Sequence, residues 1–248
     1  MSVKLLDAEL ARRATHFGLS GPLRDILIFF GGWFPGATAG HDLTIRDTGG
    51  RRSSDEALED LEHFFIPADA NILAMDPACD QGGNSLHHAA ITRAMQFLLE
   101  RFDPRGKLVL YGFSAGAFNA LRFSERIERH RPHYNFQTRT LGNCGYTPGP
   151  TQESLAEVRV DLLLTVDPCL ERLPGHESFS TQAPSLVIQH VNWYQTRGDT
   201  KGRWMAGARN NHVGASSDHT VHSYPVTHDN MPRLARLGVR QELIALFQ

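Results

Sequence analysis

The chain has 248 residues, 25 Lys and Arg against 27 Asp and Glu, 13 His, and a formal net charge of −2 with His neutral. That length fits one large domain, and a single domain over residues 1–248 is expected. Hydrophobic residues make up 41% and charged residues 21%, enough apolar side chain for a sizeable core and too little charge for disorder. The balanced charge excludes a nucleic-acid binder held by phosphate contacts. No apolar run reaches the roughly 18–20 residues of a membrane span, so no transmembrane segment is expected. The first 18 residues, MSVKLLDAELARRATHFG, hold no apolar stretch of the signal-peptide kind, and a cytoplasmic protein is expected. Cys79, Cys144 and Cys169 form no CxxC and read as reduced, buried thiols.

In chain order, five apolar runs read as strands: 25–31 (DILIFFG), 71–75 (NILAM), 107–111 (KLVLY), 160–166 (VDLLLTV) and 185–191 (SLVIQHV). Continuous apolar character without alternation marks strands buried on both faces, as in a parallel sheet. Helical spacing of apolar residues appears over 55–65, 85–102, 115–130 and 232–247. Strands alternating with helices predict an α/β domain with a mostly parallel central sheet flanked by helices. Segments 131–150 and 196–230, rich in Gly, Pro and polar residues, read as long loops.

One motif carries chemistry. Gly112-Phe113-Ser114-Ala115-Gly116 is a GxSxG placed directly after the strand KLVLY and directly before an apolar helix. This is the strand–turn–helix setting of a nucleophile elbow. At so tight a turn the residues two before and two after the serine press on each other and must be small, which Gly112 and Gly116 satisfy. The turn also puts the Ala115 N–H at a helix N-terminus, suited to stabilise an oxyanion.

With this motif and order of elements, the chain from about residue 26 onward resembles the lipase and esterase branch of the α/β-hydrolase superfamily. The resemblance implies the α/β-hydrolase fold and a Ser-Asp-His triad that cleaves a carboxylic ester through an acyl-enzyme, and the short interval between Asp167 and the next strand leaves no room there for a large inserted lid domain. It implies a small-molecule or lipid ester substrate and no cofactor. The second oxyanion donor is expected from the loop Gly31-Gly32-Trp33-Phe34-Pro35-Gly36, as the N–H of Gly32 or Trp33, although no His precedes the glycines. The family order is serine, acid, histidine. Asp167, which ends VDLLLTV before Pro168, is the first choice of acid, with Asp199 and Asp218 as alternatives. His228, just ahead of the last helix, is the first choice of base, with His219 and His222 as alternatives. Phe34, Phe113, Trp193 and Tyr194 are candidates for the substrate pocket.

Other readings stay open at the level of sequence. The same triad serves a thioesterase or an amidase. Asp218, His219 and His222, with His212 or His228, offer ligands for a metal-dependent hydrolase, but their spacing is neither HExxH nor that of a zinc finger, so no metal is expected. A non-catalytic binding module on a hydrolase scaffold is the remaining class.

Overall fold

The structure is a computed structural model. It describes residues 25–32, 71–75, 91, 94–95, 97–99, 102–129, 134–135, 152–153, 155, 157–169, 180–197, 201–214 and 226–247. The principal strands are β1 (Ile26–Phe30), β2 (Asn71–Met75), β3 (Leu108–Phe113), β6 (Leu162–Val166), β7 (His190–Tyr194) and β8 (Arg209–His212). They form one sheet in the order β2-β1-β3-β6-β7-β8, every neighbouring pair parallel. A separate antiparallel pair joins β4 (Tyr134–Asn135) to β5 (Gln152–Glu153). The molecule is therefore an α/β protein built on a parallel sheet.

The apolar strands stand where hydrophobic patterning puts them. All residues of β1, β3 and β6 are buried, because helices cover both faces. Alternate side chains go to opposite faces. Ile26, Ile28, Phe30, Leu108, Leu110 and Leu163 pack with Phe118, Leu121 and Phe123 of helix α1 (Ala115–Arg129), and with Met95 and Leu98, which are among the helical residues 91, 94–95 and 97–99. Leu27, Phe29, Val109, Tyr111, Leu162 and Leu164 pack on the other face with Met231, Ala235, Val239 and Leu243 of α2 (Met231–Phe247). Each such side chain contributes about 1.5–3 kcal/mol when fully buried. The helix expected over 55–65 lies outside the described residues. Among the described residues no helix is long and apolar enough to cross a membrane.

Two expectations need correction. The strand read at 185–191 starts instead at His190, and β8 lies inside the segment read as a loop. Residues 184–187 form a turn, with Val187 N–H donating to Pro184 O at 3.1 Å, and Val187 makes one isolated parallel bridge to Val160, with Ile188 N–H donating to Val160 O at 2.9 Å. Their apolar side chains mark that turn and single bridge rather than the continuous ladder of β7. The true strand buries polar residues instead. His190 Nε2 meets Thr165 Oγ1 at 2.9 Å, and Thr165 donates to Asn192 Oδ1 at 2.9 Å. Asn192 Nδ2 donates to Asn210 Oδ1 on β8 at 2.7 Å and to Arg203 O at 3.0 Å. Asn210 in turn holds Met205 through its N–H (3.0 Å) and its carbonyl (2.8 Å). This network anchors segment 201–208 to the end of the sheet. Polar residues that satisfy one another in this way leave no hydrophobic pattern to read.

Because the Thr165 hydroxyl hydrogen goes to Asn192, His190 must donate from Nε2, which fixes the neutral tautomer. Its Nδ1 is buried with no hydrogen-bond partner among the described residues, and burial lowers its pKa to about 4. In the unfolded chain a His titrates near 6.5, so below that pH the unfolded state binds the extra proton first. Stability contributed by neutral His190 is thus complete above about pH 6.5 and is lost as pH falls towards 4, by roughly 3 kcal/mol in total. Urea midpoints measured between pH 7 and 4.5 should fall more steeply for the wild type than for His190→Gln, whose amide does not titrate. Equal slopes would contradict this account.

Candidate active site

In a sheet of this order the chain leaves β1 towards β2 on one side and later returns to β3 on the other. The carboxyl ends of β1 and β3 therefore border a topological switch point, where open α/β sheets build their sites. Gly31 and Gly32 follow β1, and Ser114 follows β3.

Ser114 has φ +55°, a left-handed conformation uncommon for a residue with a side chain. Such strain, on the order of 1–3 kcal/mol, persists only where the surroundings enforce it. Here the Ser114 N–H donates to Val166 O on β6 at 2.9 Å, and the Ser114 carbonyl accepts the Ala117 N–H at 3.2 Å as α1 begins. The glycines are required by contact. A Cβ on Gly112 would stand 2.5 Å from both Gly116 O and Ala117 Cα, and one on Gly116 would overlap the Phe30 carbonyl oxygen. The turn is thereby pressed against the end of β1 and raises the hydroxyl over the edge of the sheet.

Asp167 lies one residue beyond β6, also left-handed at φ +46°, and is fully buried. Its N–H donates to Trp193 O at 2.6 Å. His228 opens a 3-10 turn (His228–Asn230) that runs directly into α2. Its ring lies on Phe113, centroids 4.9 Å apart and planes 25° from parallel. His228 Nδ1 is 2.7 Å from Asp167 Oδ2, and His228 Nε2 is 2.8 Å from Ser114 Oγ. A carboxylate only accepts, so Nδ1 carries the hydrogen and Nε2 presents a lone pair to the serine hydroxyl. The arrangement can draw the Ser114 proton onto the imidazole while the buried carboxylate offsets the positive charge that forms.

The oxyanion candidates stand beside this line. Ala115 is the first residue of α1, where N–H groups have no intrahelical partner. Gly32 is buried against the nucleophile, and a Cβ there would lie 3.1 Å from Ser114 Cβ and 2.8 Å from Phe113 Cδ1. Trp33 and Phe34 lie outside the described residues, as do the alternative acids Asp199 and Asp218 and the alternative bases His219 and His222. Among the pocket candidates, Phe113 is buried under the His228 ring. Trp193 belongs to the core beneath α2, so close to Gly238 that a Cβ there would meet its Nε1 at 2.8 Å. Tyr194 is half-buried and stacks on His212 at 4.9 Å. His212 Nε2 is 3.1 Å from Thr196 Oγ1. Among the described residues no group of three His, Cys, Asp or Glu is placed to hold a metal ion.

Two further residues shape the site without any sign in the sequence pattern. Gln195 donates its backbone N–H to Asp167 Oδ1 and its side-chain Nε2–H to Asp167 Oδ2, each at 3.0 Å. Gly202, whose N–H donates to Gln195 O at 2.9 Å, lies so close to the carboxylate that a Cβ there would collide with Asp167 Oδ1. Gln195 directly follows β7, and its place beside the acid is visible only once that strand is known to run from His190 to Tyr194.

The chain matches no protein-family model, no curated protein and no solved structure.

Proposed function

We propose that this protein is a serine hydrolase with an α/β-hydrolase fold, cleaving a carboxylic ester of a small molecule or lipid. The observation that carries the reading is the unbroken hydrogen-bonded line Ser114–His228–Asp167, at 2.8 and 2.7 Å, with the serine on a strained strand-to-helix turn. The parallel sheet and the chain order serine, acid, histidine support it further. In the first half-reaction Ser114 Oγ attacks the ester carbonyl and His228 Nε2 takes its proton. The Ala115 N–H, with that of Gly32 or Trp33, holds the tetrahedral oxyanion. His228 then returns the proton to the leaving alkoxide, and an acyl-Ser114 ester remains. Water, activated by the same imidazole, releases the acid and restores the serine.

The experiment is turnover of p-nitrophenyl esters of graded chain length, beside matched thioesters and anilides, each followed across pH. The expected result is ester cleavage whose kcat/KM rises with pH through one ionisation, as His228 must be neutral to accept the proton. Chelators should leave it unchanged. Thioester turnover exceeding that of the matched ester would move the substrate class, and loss of activity with a chelator would revive the metal-dependent reading of Asp218, His219 and His222.

A further inference from the structure

Asp167 is a carboxylate with no exposure to solvent, and a buried charge without hydrogen bonds is strongly unfavourable. Among the described residues its donors come from two. His228 Nδ1–H reaches Oδ2, and Gln195 supplies both its backbone N–H to Oδ1 and its side-chain amide to Oδ2. The Gln195 amide cannot turn over. Its Oε1 accepts the Arg197 N–H at 2.6 Å, so a flipped amide would set oxygen against the carboxylate and NH₂ against an N–H. Gln195 is itself fully buried. Asp167 and His228 are titratable groups bonded within this cluster, and the Arg197 guanidinium donates to Gly214 O at 3.2 Å.

We infer that Gln195 is a positioning residue for the acid–base pair: its locked amide fixes the rotation of the Asp167 carboxylate, so that Oδ2 faces His228 Nδ1. The inference rests on the serine-hydrolase reading. Two consequences follow from the geometry. Without the amide Oδ1 keeps the Gln195 backbone N–H but Oδ2 loses the bond that sets its direction beside His228, so the aim of the imidazole at Ser114 Oγ loosens. The amide also draws charge from Oδ2, so without it the carboxylate stabilises the imidazolium more strongly, and a higher pH is needed to free Nε2.

The test is the pH dependence of Ser114 labelling by a fluorophosphonate probe in wild type, Gln195→Met and Gln195→Leu. Both variants keep bulk and lose the donor. They should label roughly 10–100-fold more slowly at the plateau. Their pH midpoint should lie higher by about half a unit to one unit. A residue that merely fills space would alter the melting temperature and leave the midpoint in place. Should the variants fail to fold, ¹⁵N spectra of the wild type decide. The Gln195 side-chain amide should then titrate together with the downfield Nδ1 proton of His228, and an amide that does not move overturns the inference. A wild type that labels, beside folded variants with its rate and midpoint, overturns the inference alone. A wild type left unlabelled at Ser114 overturns the hydrolase reading and this inference with it.

Discussion

Ser114→Ala will lower kcat by about 10⁴-fold or more. The change removes one oxygen and adds nothing, so the effect isolates the nucleophile. Ser114 Oγ has one hydrogen-bond partner of consequence, His228 Nε2, and its backbone is held independently by Val166 O and Ala117 N. Deleting the oxygen therefore leaves the elbow in place, and the variant should melt near the wild-type temperature. Residual turnover over water would come from the oxyanion donors and from binding. A folded Ser114→Ala protein with full activity would remove the acyl-enzyme mechanism altogether.

Asp167→Asn should cost roughly 10²–10⁴ in kcat. The Asn amide can offer an N–H to His228 Nδ1, which then becomes an acceptor and pushes the hydrogen to Nε2, where it blocks the serine proton. The environment makes this substitution worse than isosteric exchange implies. Both carboxylate oxygens accept from Gln195, so an NH₂ in either position faces a donor. The penalty for one buried unsatisfied group, about 1–3 kcal/mol, should appear as lost stability. Chemical denaturation and steady-state kinetics on the same preparation check both parts. Asp199→Asn should be mild in each; if it is the damaging change instead, the acid lies after β7.

The parts of the fold written in apolar residues are those legible from the sequence. β1, β2, β3 and β6 fall within two residues of the runs that announce them, and β1, β3 and β6 are buried throughout, as strands covered on both faces need continuous hydrophobic character. The ends of α1 and α2 follow from the same periodicity. β7 and β8 escape that logic. β7 buries His190 and Asn192, and β8 holds the half-buried Asn210, polar residues accommodated by hydrogen bonds with Thr165, Arg203 and Met205. The bonds from Thr165, Arg203 and Asn210 to β7 join residues far apart in the chain, so a local window contains no sign of them.

The site divides along the same line. Ser114 is readable because an elbow demands small residues at fixed spacing, and Gly112 and Gly116 supply them. Asp167 and His228 are suggested by order along the chain, and the structure brings both to the serine. Gln195 and Gly202 have no such signature. Gln195 meets the acid because β7 pairs with β6, and Gly202 does so only when segment 201–208 is drawn back across the end of β7 by Asn192 and Asn210. The two left-handed non-glycine residues among those described, Ser114 and Asp167, are held there by tertiary contacts, their N–H groups donating to Val166 O and Trp193 O.

The most direct measurement of the central claim is the site of covalent attachment of a fluorophosphonate to the native protein, mapped by mass spectrometry of its peptides. The account predicts one adduct per chain, on the Ser114 hydroxyl, formed faster as pH rises and absent from protein unfolded beforehand in urea. A folded protein that takes no adduct at Ser114, or that takes it on another residue while Ser114 stays free, would contradict the account.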